Sequence, residues 1–463
     1  MSIRLASAFV AVVFAGCSLA PPRVQPEPAV PASWPVGDAY LRNSEATLPK
    51  VDYHDLFRDP RLQTLIERAI ANNQDVRLAL ANIAATRGQL RVQRAQLFPQ
   101  ISAAGSATRA DRGSASTIGS GGINNSFAFD VGLSAFEIDL FGRVRSLSDA
   151  ALQQLLGTEA ALRAARLSLV AEVASAYLTL ATDRSLLAIA RETEDTATRS
   201  VQLTEARRAG GVAPRSDVRQ AETVLAQARA DRASQITLVA QDRNAIELLV
   251  GAPVGDTDLA DSIESIDGLF DEIPAGLDSR VLLRRPDVVQ AEYLLYAANA
   301  RIGAARAAFF PTISLTAVAG FASGSLTSLF TRDAFAWSAR PAISLPIFDA
   351  GSRRGNLETV EAQRDAALAT YQKTIQTAFR EVADALARRG TIDDQMRAQA
   401  DLEAAARDSY FLADARYREG VDAFLSSLDA QRTLYTARRS LASIRRVRAG
   451  NLVELYRTLG GSS

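Results

Sequence analysis

One cysteine, one histidine and two methionines are all that this chain offers for thiol or soft-metal chemistry. An internal disulfide is impossible, and no metal site is expected. Carboxylates and arginines are plentiful, but no His-based triad, CxxC pair or glycine-rich phosphate loop accompanies them. We therefore expect no catalytic residue, no metal and no cofactor. His54, just ahead of the first helical stretch, reads as a surface or packing residue. Arg284, Arg285, Arg445, Arg446 and Arg448 are expected to face solvent or an acidic segment rather than bind phosphate. Lys+Arg and Asp+Glu balance at 52 each, so no basic field would draw in nucleic acid.

The position where covalent chemistry is expected is Cys17. Ahead of it stand Arg4, an apolar run from Leu5 to Phe14, and the small pair Ala15-Gly16. Such a run is too short to span a bilayer and suits a secretory signal over residues 1–16. A cysteine after two small residues is where a lipoprotein signal puts its acylated residue, and two acyl chains give stable attachment. Ser18 rather than Asp follows, as in lipoproteins sent to the outer membrane. The alternative is ordinary cleavage beside an incidental thiol. Residues 17–55, rich in proline (Pro21, Pro22, Pro26, Pro28, Pro31, Pro35), then read as an extended tether.

The elements behind these residues form a duplicated unit, mainly α with an added β part. Arg207-x-x-x-Gly211-Val212 matches Arg416-x-x-x-Gly420-Val421; in each, a charged helix meets a glycine and another helix follows, the mark of an αα-hairpin tip. Long helical stretches run Gly142 to Arg208 and Ser352 to Glu419, about 67 residues or roughly 100 Å each. Shorter ones run Pro214 to Val250 and Val421 to Leu459. Apolar residues recur every seven (Leu155, Leu162, Leu169; Leu368, Ile375, Val382), which suits close coiled-coil packing. No uninterrupted apolar run approaches the roughly 18–20 residues of a spanning helix.

Both halves also carry segments of period two. Phe127, Phe129, Val131 and Leu133 alternate with polar residues, and the alternation slips near Ala135-Phe136, as a bulge would make it. Ile101 to Thr108 is a weaker strand. In the second half Ile313, Leu315, Ala317, Ala319 and Phe321 alternate with Thr312, Ser314 and Thr316, and Phe335, Trp337, Ala339, Ile343 and Leu345 follow. Four strands cannot close a barrel in lipid, so strands in a membrane would require several copies; composition does not choose between two and three. The expected order is a first repeat over 56–250 with a β-hairpin at about 100–140, an acidic segment over 251–279, a second repeat over 280–459 with a β-hairpin at about 312–346, and a tail over 460–463.

Leu282-Leu283-Arg284-Arg285-Pro286-Asp287-Val288, the Phe98-Pro99 and Phe310-Pro311 strand starts, Asp139-Leu140-Phe141-Gly142 and Leu428-Asp429-Ala430-Gln431-Arg432 together resemble the TolC-like outer membrane efflux family, in its NodT-type lipoprotein branch. The likeness covers about Leu56 to Leu459. It implies a homotrimer whose strands complete a twelve-stranded barrel above a periplasmic helical tunnel. It also implies an exit duct for drugs or other small solutes in the outer membrane of a Gram-negative cell, docked to a periplasmic adaptor and an inner-membrane RND-type pump. The tips Gly211, Val212, Ala213, Gly420, Val421 and Asp422 would contact the adaptor. Leu425, Asp429 and Arg432, four and three residues apart on one helical face, would form the gate, with Asp217 as a weaker counterpart. The plain alternative for Asp429 and Arg432 is an ordinary surface pair. An exit duct for type I polypeptide secretion and a lipid-anchored scaffold without a pore are the competing functions.

Overall fold

The computed structural model describes residues 19–23, several positions between 30 and 40, and residues 52–112, 122–266 and 279–461. Cys17, the signal segment and part of the acidic segment lie outside the described residues. The helices are α1 (Tyr53–Leu56), α2 (Pro60–Asn72), α3 (Gln74–Ala95), α4 (Arg143–Ala209), α5 (Arg215–Val250), α6 (Pro286–Ala307), α7 (Ser352–Arg418) and α8 (Phe424–Leu459). The strands are β1 (Ile101–Arg112), β2 (Gly122–Glu137), β3 (Thr312–Ser323) and β4 (Phe335–Ser344). The duplication shows in the lengths: α4 and α7 each have 67 residues, and α5 and α8 each have 36. A boundary between α2 and α3 falls at Asn73. Its side chain accepts from the Asp75 and Val76 amides and so starts a new helix.

Two compact units divide the chain, and each draws on both repeats. The first holds the sheet, antiparallel throughout in the order β1-β2-β3-β4. Its register places Ala103, Val131, Ala319 and Trp337 in one row and Gly105, Phe129, Phe321 and Phe335 in the next, so these rows are apolar across all four strands, while Arg109 and Asp111 stand on the same face at the far end of β1. Asp130, Thr316, Ser338 and Arg340 fall on the other. At Leu133/Phe136 the register shifts, and Ser134 and Ala135 together oppose Thr316, whose hydroxyl accepts from the Ala135 amide at 3.1 Å. Ala135 takes φ 49° to do this. The bulge returns Phe136 to the apolar row beside Leu315. Among the described residues β1 and β4 have no strand partner on their outer sides, and every residue of β4 is exposed. In the same unit Phe141 stacks on Phe310 at 4.8 Å.

The proline-rich segment is not a free tether where it is described. In the first unit Arg23 holds Asp149 through two contacts of 2.7 and 2.8 Å, and Ala20 presses so closely on Gly303 that a Cβ there would lie 2.8 Å from it. In the second, Trp34 stacks on Phe379 at 4.8 Å, and Gly390 leaves room for the Ala39 backbone. Proline keeps the segment extended, but its aromatic and charged side chains find partners on the helices.

The second unit has its core where α2 begins. Asp59 caps α2 and accepts from Tyr177 on α4 at 2.7 Å, with Tyr177 fully buried. Burial, followed by the Asp59 hydrogen bond, pushes the Tyr177 phenol well above its ordinary value. Leu62, Leu65 and Ile66 of α2, Leu180 of α4 and Ile246 of α5 complete this core. α4 contains an 18-residue window of mean hydropathy 1.3, more apolar than its interrupted runs suggest, and 56% of it is buried. That hydropathy belongs to packing.

The arginine expectation holds for Arg284, which is exposed, and for Arg445, which pairs with Glu264 of the acidic segment at 2.7 Å. It fails for Arg285, which is only 5% exposed. Its guanidinium donates to the Thr458 carbonyl at the end of α8, to both Asp287 oxygens and to Glu381 of α7. Pro286 and Asp287 start α6, so the Arg-Pro-Asp stretch is a structural joint among three helices.

Candidate functional site

The repeated motif builds two helix ends of the same geometry. At the end of α4, the Gly211 amide donates to the Arg208 carbonyl and the Val212 amide to the Arg207 carbonyl. At the end of α7, Gly420 donates to Tyr417 and Val421 to Arg416 in the same way. Gly211 and Gly420 take φ of 76° and 77°, so both ends are Schellman caps, closed by a glycine where a side chain would be strained. Val212 and Val421 follow, 69% and 62% exposed. Two exposed valines beyond turns of one shape give each tip an apolar point. Ala213 and Asp422 come next, before α5 and α8 begin.

The two copies then diverge. Arg416 grips Asp422 in the same tip at 2.6 and 3.1 Å, and the pairing lowers the Asp422 pKa. The position matching Asp422 in the first tip is Ala213, so Arg207 finds no carboxylate there. It reaches the second tip instead. Its Nη1 donates to the Tyr417 carbonyl at 2.8 Å, and its guanidinium lies 4.7 Å above the Tyr417 ring. Tyr417 packs on Phe424 at 5.3 Å, within a small core that adds Ala221 and Leu428. Burial pushes the Tyr417 phenol up. Arg207 and Tyr417 are the site residues that sequence reasoning passed over. The signal was available as the mismatch of Ala213 with Asp422 in otherwise matching motifs.

Past the second tip, Phe424, Ser427, Leu428 and Gln431 are buried while Leu425, Asp429 and Arg432 lie together on the exposed face of α8. Leu425 is 52% exposed. Asp429 and Arg432 stand 3.8 Å apart with side chains 63% and 53% exposed, a loose pair worth little by itself. Asp217 does not share their register. It sits in the first turn of α5 within 3.3 Å of the Ser216 hydroxyl, where the helix N-terminus favours a carboxylate; counted from the tip glycine, Gln220 holds the place of Asp429. His54 lies beside Asp52 at 2.9 Å, and that hydrogen bond raises its pKa. Among the described residues no cluster of metal-ligating side chains occurs.

A four-stranded antiparallel sheet with apolar rows along one face and edges unpaired among the described residues, together with two 67-residue helices that end in matched tips, points to an outer-membrane channel protein of the TolC-like kind. The profile of the outer membrane efflux protein family matches residues 65–252 and 277–461. The chain belongs to that family. It is 45% identical over 460 residues to the probable efflux pump outer membrane protein TtgC of Pseudomonas putida, covering 99% of this chain and 95% of that one. Among solved structures, the open state of the Neisseria gonorrhoeae MtrE outer membrane channel superposes with a TM-score of 0.86 at 35% identity, over 96% of this chain and 98% of that one. The outer-membrane channel OprN gives 0.88 at 28% identity, over 96% and 99%. The protein is thus an outer-membrane efflux channel of a Gram-negative cell, and its role is transport.

Proposed function

We propose that three copies of this chain form the exit duct of a tripartite pump, passing drugs or other small solutes outward after docking to a periplasmic adaptor and an inner-membrane RND-type transporter. The observation that carries this reading is the sheet. Its apolar rows cross all four strands, and among the described residues β1 and β4 leave their outer backbone unpaired. Open edges are too costly in lipid, and closure takes at least about eight strands. Two copies would meet that minimum. Family likeness favours three, and twelve strands would leave a wider lumen.

The polar face, with Asp130, Thr316, Ser338 and Arg340, would line the water path. In this reading the tips at Gly211, Val212, Ala213, Gly420, Val421 and Asp422 meet the adaptor, and the exposed valines supply its apolar footing. Leu425, Asp429 and Arg432 face the axis as a gate, with the Arg207–Tyr417 contact holding the two tips together behind them. Cys17 carries the lipid that fixes the chain to the outer membrane.

Native mass spectrometry of the purified mature protein tests the assembly. A trimer is expected, together with cross-links between β1 of one copy and β4 of another. A stable monomer with its sheet intact in lipid would refute it.

A further inference from the structure

Within the first unit the two halves also repeat at both borders of the sheet. Phe98-Pro99-Gln100-Ile101-Ser102 leads into β1 as Phe310-Pro311-Thr312-Ile313-Ser314 leads into β3, so Ala103 and Ala107 match Leu315 and Ala319. Ile138-Asp139-Leu140-Phe141 leads out of β2 as Leu345-Pro346-Ile347-Phe348 leads out of β4, so Phe136 matches Ile343. Earlier in the strands, Phe127-Ala128-Phe129-Asp130-Val131 matches Phe335-Ala336-Trp337-Ser338-Ala339, which leaves the second copy one residue shorter between these landmarks. The extra residue of β2 is its bulge.

β2 and β3 show what these segments do when they meet. Phe136 stands opposite Leu315 and Val131 opposite Ala319, with the bulge between them, and Phe141 stacks on Phe310 at 4.8 Å and 19°. β4 and β1 carry the matching segments, yet among the described residues their outer edges have no strand partner, and Phe98 and Phe348 are 68% and 87% exposed. Carried over to β4 and β1, the β2–β3 pairing sets Ile343 opposite Ala103 and Ala339 opposite Ala107. One unbroken register satisfies both pairs, as the shorter β4 requires. Its parity is also right. Ala103 and Ala107 lie in rows with Val131 and Phe127, and Ile343 and Ala339 in rows with Ile313 and Ala317, so the apolar sides coincide, whereas a slip of one residue would oppose them. The same register sets Arg109, a charge on the apolar side of β1, opposite Trp337, whose ring can take a cation.

We propose that β4 of one copy pairs with β1 of the next in this register, Ile343 opposite Ala103 and Trp337 opposite Arg109, with Phe98 of one copy stacked on Phe348 of the other as Phe310 is on Phe141. The inference rests on the reading that several copies close the sheet, and it names the partner of each edge residue. Two phenylalanines left open at the border between sheet and helices then cover each other.

The test is disulfide cross-linking of cysteine pairs in the assembled full chain. A103C/I343C and T108C/S338C, one pair on each face of the sheet, are in register, and oxidation should link copies through at least one of them. A103C/P341C and A103C/L345C are displaced by two residues, roughly 7 Å along the strand, which is beyond the reach of a disulfide, and should stay unlinked. A displaced pair that links in place of its counterpart, or an intact oligomer in which no pair links, would overturn the register and leave the assembly standing; a stable monomer would overturn both. For the stack, F98A and F348A should each speed dissociation of the oligomer in detergent by roughly two- to tenfold per contact. The double variant should dissociate no faster than either single one, because both remove the same contact. Fully additive effects would overturn the stack.

Discussion

Replacing Arg207 with alanine should loosen the two tips from each other without unfolding the helices behind them. The side chain makes one charge-assisted hydrogen bond, at 2.8 Å to the Tyr417 carbonyl, and one cation–π contact at 4.7 Å. A hydrogen bond from a charged donor contributes about 1.5–3 kcal/mol and an exposed cation–π contact about 0.5–1. Arg207 is half-buried, so the lower end of that sum applies, about 2 kcal/mol. That is roughly a 30-fold change in the population in which the tips have come apart. Hydrogen exchange of the segment spanning residues 417–428 reads this population directly. Its protection should fall about 30-fold in R207A. R207K keeps a charged donor but loses the planar stack, so a fall of roughly threefold is expected there. Protection in R207A within threefold of wild type would show that the contact does not join the tips.

Arg285→Met removes the donor for Thr458, Asp287 and Glu381 at one joint. Breaking a buried pair costs about 3–5 kcal/mol, and because Asp287 and Glu381 are partly exposed the expected loss is about 2–4. A denaturant midpoint that hardly moves would refute this role. Asp242 has a buried Oδ2 with no donor among the described residues. Burial, then Asp183, raises its pKa to about 7. The folded protein therefore holds this proton more tightly than the unfolded chain, and stability falls as pH rises from about 4 towards 7. Asp242→Asn should flatten that slope and raise the melting temperature at pH 8; an unchanged slope would contradict the assignment.

Much of this fold was legible because its two periodicities are clean. Heptads marked the long helices, and alternation marked the strands together with the slip that became the bulge at Ala135. The glycines at 211 and 420 announced both caps, because only a positive φ ends a helix in that way. What escaped was tertiary. Arg285 looks like any surface arginine, and only the end of α8, far along the chain, supplies the carbonyl that buries it. Trp34 and Arg23 sit in a stretch whose prolines define its backbone but not its partners. In the tips the motif itself was visible, while the use of Arg207 depended on what stands across from it.

Single-channel recording in planar bilayers tests the channel and the proposed gate together. The purified oligomer should show a small, flickering conductance, and Asp429→Ala should raise it and lengthen the openings. Silence from a confirmed, folded oligomer with or without that substitution would contradict the duct.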